Sequence, residues 1–167
     1  MRSGTTIRIL FTLGVGWLFV PDEARAQDPC PSASGADAEA GWTAYQDGDM
    51  SEARLRFSAA MARCDNDHYA RTGLGYVALR DGDTSEAQGL LMAVVIAEPN
   101  NVDALVGLGL GAWRSGDLQA VRDHFGRVIQ LTPDHPTAIE YLDLVTGAEA
   151  AAMVEPDGAD RAWAHGN

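Results

Sequence analysis

Large apolar residues recur along this chain at a fixed interval. Phe57, Leu91 and Phe125 stand 34 residues apart, and each follows a small apolar residue, Ala53, Ala87 or Val121, by four positions. A spacing of four places both side chains on one face of a helix. Upstream of each pair is a polar break, Gly48-Asp49, Gly82-Asp83 or Gly116-Asp117, and seven residues before each break glycine lies another glycine, Gly41, Gly75 or Gly109. A period of this length predicts pairs of helices stacked as a solenoid. The pattern predicts first helices over 36–47, 68–80 and 102–114 and second helices over 51–63, 85–97 and 119–131. Ser51 and Ser85 stand where a hydroxyl can cap a second helix, and Asn101 precedes the fifth helix. Pro136 opens a seventh helix over 136–146, with Ile139 and Leu142 on one face, suited to covering the apolar end of the stack.

The aligned segments GWTAYQDGDMSEARLRFSAAM, GYVALRDGDTSEAQGLLMAVV and GLGAWRSGDLQAVRDHFGRVI, with Pro99 and Pro133 closing the second and third copies, resemble the tetratricopeptide repeat (TPR) family. The resemblance covers residues 36–148. The first copy departs from it, carrying Asp65 in place of the closing Pro and Ala40 where the others have Leu74 and Leu108. The fold it implies is an all-α, right-handed TPR solenoid of three repeats with a C-terminal capping helix.

The flanks differ in character. Arg2 and Arg8 precede the apolar run Ile9 to Val20, and Ala24-Arg25-Ala26 follows, which predicts a secretory signal over 1–26. The apolar run is well short of the ~20 residues that span a bilayer, so no stable membrane insertion is expected after cleavage. Residues 27–35 are predicted to be a linker and residues 149–167 a disordered acidic tail. This reading makes the protein exported, periplasmic or extracellular. The two cysteines, Cys30 and Cys64, flank the first helical pair and are expected to form a disulfide, since exported thiols tend to pair.

The formal charge of −12 disfavours nucleic acid and anionic lipid as partners. Catalytic signatures are poor: His68, His124, His135 and His165 are scattered, without metal-pair spacing, and no phosphate-binding loop occurs. An enzyme is therefore not expected, nor a metal or other cofactor.

In the TPR family the first helix of each pair lines the concave side. The resemblance assigns to that side Trp42, Tyr76 and Leu110, six residues before each break glycine, and Tyr45, Leu79 and Trp113, three before it. Gln46, Arg80 and Arg114 join them two before it, and Tyr69 and Asp103 thirteen before it. Aromatic and Arg side chains dominate binding hot spots. Each ring has an alternative reading as packing between neighbouring first helices. Arg80 and Arg114 either bind an anionic group or are tied up by Asp81, Asp83 or Asp117. The function expected is an interaction module taking a segment of another protein along Trp42, Tyr45, Tyr69, Tyr76, Leu110 and Trp113. Carbohydrate binding by the same rings and weak self-association through the ends of the stack are the alternatives.

Overall fold

The computed structural model describes residues 32–153, and the side chains of residues 35–148. The described residues form seven helices and no strand: α1 (Ser32–Asp47), α2 (Met50–Arg63), α3 (His68–Asp81), α4 (Thr84–Ala97), α5 (Val102–Ser115), α6 (Leu118–Leu131) and α7 (Pro136–Met153). Helix α1 begins inside the expected linker, and α7 runs beyond both the expected helix end at 146 and the expected solenoid end at 148. The predicted signal (1–26) and the tail beyond 153 lie outside the described residues.

The break dipeptide explains itself locally. Gly48, Gly82 and Gly116 adopt φ of 84°, 87° and 75°, a left-handed conformation that side chains resist. The following Asp then does two jobs. Its N–H reaches back to the carbonyl of Ala44, Ala78 or Ala112 at 2.9–3.0 Å, closing the first helix. Its carboxylate accepts from the N–H of Glu52, Glu86 or Ala120 at 2.8–2.9 Å, capping the second. The capping role expected of Ser51 and Ser85 therefore belongs to Asp49 and Asp83, because each second helix starts one residue earlier and places the serine inside its first turn. Asn101 caps α5 as expected, and Asp67 caps α3 in the same way.

Packing follows from the size pattern. Phe57, Leu91 and Phe125 are fully buried, each worth roughly 1.5–3 kcal/mol of transfer free energy. They fit only because glycines face them: a methyl group on Gly41, Gly75 or Gly109 would sit 2.7, 2.6 or 2.7 Å from the opposing Phe57, Leu91 or Phe125. Successive pairs then join through shared cores. Ala53, Phe57 and Ala60 of α2 pack with α1 and α3, Leu91 and Val94 of α4 with α3 and α5, and Phe125 and Val128 of α6 with α5 and α7. The first helices α1, α3 and α5 adjoin in a row. On the surface, Arg54 of α2 bonds Asp81 at 2.9 Å and Glu86 at 2.8 Å, linking the first pair to the second. No described helix is long and apolar enough to cross a membrane.

Candidate functional site

The row of first helices carries an aromatic cluster at its N-terminal half. Trp42 and Tyr45 are three residues apart on α1, and Tyr69 and Tyr76 are seven apart on α3, so each pair shares a helical face. The rings converge on Trp42, whose centroid lies 5.6 Å from Tyr45, 5.6 Å from Tyr69 and 5.8 Å from Tyr76; its other neighbour is the buried Phe57 at 5.3 Å. Tyr45 and Tyr76 meet edge to face at 6.2 Å. Such offset and edge arrangements fix the rings relative to one another. Tyr69 remains 46% exposed.

Trp42, Tyr69 and Tyr76 wall a cleft of about 490 Å³ that spans three helices, lined also by Glu39, Thr43 and Gln46 on α1 and Asp103 on α5. The Tyr76 hydroxyl donates to the Asp103 carbonyl oxygen at 3.0 Å, closing the floor between α3 and α5. Burial, reinforced by Asp103, holds the Tyr76 phenol well above its ordinary ionisation range. The more exposed Tyr69 phenol is raised too, by partial burial and then by Glu39 and Asp103. The Trp42 indole N–H has no acceptor among the described residues.

The other predicted groove residues are placed differently. Leu79 does not line the groove: at 3% exposure it belongs to the core of the second pair, packed with Leu91 and Leu108. Leu110 and Trp113 are partly buried against the cores, and Trp113 meets Tyr141 of the capping helix edge to face at 5.3 Å. Trp42, Tyr45 and Tyr76 are likewise half-buried against the first two cores, so Tyr69 is the exposed ring of the stripe, and the cleft lies at its N-terminal half.

Arg80 and Arg114 do not form a free pair. The Arg80 guanidinium lies over the Tyr45 ring, 5.5 Å from its centroid. Arg114 donates to the carbonyl oxygen of Leu79. The carboxylates expected to hold them are engaged elsewhere, Asp81 by Arg54 and Asp83 and Asp117 as helix caps. The predicted bridge rests on Cys30, which lies outside the described residues; Cys64 is half-buried at the end of α2.

Glu39 and Thr43 are the cleft residues that the aligned repeats did not single out. The 34-residue period sets Glu39 equivalent to Gly73 and Gly107, which lie beneath Phe57 and Leu91 of the preceding pair. Among the described residues none packs over this position, and Glu39 is exposed there.

Among the described residues no group of three or more His, Cys, Asp or Glu side chains is arranged to hold a metal ion. The repeated turns, small-to-large contacts and helix row together decide the fold. Residues 72–136 match the tetratricopeptide repeat family. The TPR match covers the second and third copies, and the all-α TPR-type solenoid extends through the seven described helices. No curated protein matches the chain in sequence. Among solved structures, the chain is similar to the Arabidopsis OM64 TPR domain, with 16% identity, a TM-score of 0.67, and coverage of 70% of this chain and 97% of that one. It is likewise similar to the first TPR of Spaghetti (RPAP3) bound to the HSP90 peptide SRMEEVD, with 18% identity, a TM-score of 0.68, and 71% and 97% coverage. A third similar structure is the second TPR domain of human RPAP3 in complex with the HSP70 peptide SGPTIEEVD, with 15% identity, a TM-score of 0.62, and 69% and 96% coverage.

Proposed function

We propose that this chain is an exported protein-interaction module that takes a segment of a partner protein along the row formed by α1, α3 and α5. The observation that carries this reading is the cluster of Trp42, Tyr69 and Tyr76, backed by Tyr45, beside a cleft spanning all three first helices. Rings already held by one another lose little freedom on binding, so the area they cover converts efficiently into affinity. TPR solenoids of similar fold hold peptides of partner proteins, which supports a peptide-like ligand here. The binding residues of this reading are Trp42, Tyr45, Tyr69 and Tyr76, with Leu110 and Trp113 extending the surface at its packed end. The exported location rests on the charged and apolar pattern of residues 1–26.

Site-specific photocrosslinking in the native compartment tests the reading. A probe at Gln46, exposed in the cleft, is expected to capture one defined protein, and a probe at Gln88, exposed on α4, is expected not to. Tyr69→Ala should abolish the Gln46 product. Equal capture at both positions, or capture only of the chain itself, would overturn the module reading. A reporter that works only outside the cytosol, fused after residue 30, would overturn export alone if it stayed inactive.

A further inference from the structure

The cleft combines two chemistries that the charge of the whole chain does not require to coincide. Its walls are the faces and edges of Trp42, Tyr69 and Tyr76, and its two carboxylates, Glu39 and Asp103, approach from opposite sides on α1 and α5. Neither carboxylate makes an ion pair among the described residues. The nearby cations of the first pair are engaged elsewhere: Arg54 holds Asp81 and Glu86, Arg56 holds Glu52, and Arg63 holds Asp37 at 2.9 Å. Both carboxylates lie close enough to Tyr69 to add to the rise that burial imposes on its phenol.

An aromatic wall attracts a cation through its ring quadrupole, and carboxylates add charge-assisted hydrogen bonds. The molecule already uses this chemistry beside the cleft, where Arg80 lies over Tyr45. An anion, by contrast, would meet two uncompensated carboxylates and no free guanidinium in the lining. The groove is thus charged oppositely to what an acidic peptide such as SRMEEVD would require.

We propose that this cleft takes the side chain of an arginine or lysine on the partner segment, its charge held between Glu39 and Asp103 and its aliphatic stem laid on Trp42, Tyr69 and Tyr76. The inference rests on the partner-segment reading for the source of the cation, while the recognition chemistry belongs to the cleft. An arginine fits the planar rings and both carboxylates best, because its guanidinium stacks and donates in the same plane.

The test titrates the full chain with N-acetylarginine amide and with its neutral isostere N-acetylcitrulline amide, following the Trp42 indole N–H resonance, assigned by its loss in Trp42→Phe. Saturable movement of that resonance with the arginine compound, at least roughly tenfold weaker with citrulline and in the Glu39→Gln/Asp103→Asn double variant, is the expected result. The response should also weaken as salt is raised. Equal responses to both compounds, no response, or a response unchanged by the double variant would overturn the proposal. Tighter binding of choline than of the arginine compound would overturn it in favour of a small quaternary ammonium ligand. Peptides selected from a random display library that need Tyr69 but ignore the double variant would leave the module reading standing and sink the cation site. Both side chains are exposed, so the double variant is expected to keep its melting temperature.

Discussion

The Tyr76 hydroxyl donates a 3.0 Å hydrogen bond to the backbone carbonyl of Asp103, a contact across 27 residues that ties α3 to α5 at the floor of the cleft. One residue therefore serves both the stacking of repeats and the shape of the site. Tyr76→Phe removes the donor while keeping the ring. It is expected to lower unfolding free energy by about 1 kcal/mol in a denaturant titration, without loss of helical signal. The phenol is also raised by burial. The unfolded chain therefore releases this proton first, and stability should fall as pH rises above the ordinary tyrosine value of 10.0. That alkaline loss should be smaller in Tyr76→Phe.

The two kinds of helical glycine should respond in opposite directions. A Cβ on Gly75 would lie 2.6 Å from Leu91, whereas one on Gly89 meets nothing within 4 Å. Gly75→Ala is expected to destabilise by about 1–3 kcal/mol through overpacking. Gly89→Ala is expected to stabilise by about 0.5–1 kcal/mol through helix propensity. Thermal unfolding of the two variants beside the parent chain checks both signs.

His124 lines a second cleft, of about 250 Å³, between the second and third pairs. Burial lowers its pKa from the ordinary 6.5, opposed in part by Asp123 and Asp117. A histidine with a depressed folded pKa contributes its full stability above the unfolded value. That contribution declines as pH falls below about 6.5, because the unfolded chain binds the proton more readily. The difference in melting temperature between the parent chain and His124→Gln should therefore shift in favour of the variant as pH is lowered from 7.5 to 5.5. An unchanged difference across that range would contradict the assignment.

The expected Cys30–Cys64 bridge closes a loop of about 35 residues around the first pair. In the chain-entropy model this corresponds to roughly 3–4 kcal/mol. The unreduced mature protein should show no reactive thiol, and reduction should lower its melting temperature. Two titratable thiols in the unreduced protein would remove the bridge.

The architecture was legible because its determinants are local and repeated. A left-handed glycine, a capping acid and a buried large residue at constant spacing each describe one helical pair, and 34 residues later the next pair reads the same way. Leu79, Arg80 and Arg114 escaped that logic, since their contacts lie in neighbouring elements: Leu79 is buried in a core shared with α4 and α5, Arg114 reaches back to α3, and Arg80 rests on α1. Repeat alignment locates a side chain within its pair and is silent about which neighbour it meets. The caps lie two residues before the serines for a simpler reason, because the acid beside the glycine takes the N–H at the start of the helix. Glu39 was recoverable by extending the period backwards from Gly107 and Gly73, where an acid stands in the first copy at the place of a glycine in the other two.

The same register carried forward reaches Tyr141. Gly73 and Gly107 accept the large residue of the pair before them, but at the next interval a tyrosine occupies the place and stacks on Phe125 at 5.2 Å. The array behaves like a polymer that is chain-terminated at that monomer: its final joint is plugged by a ring where every earlier joint held only a hydrogen atom.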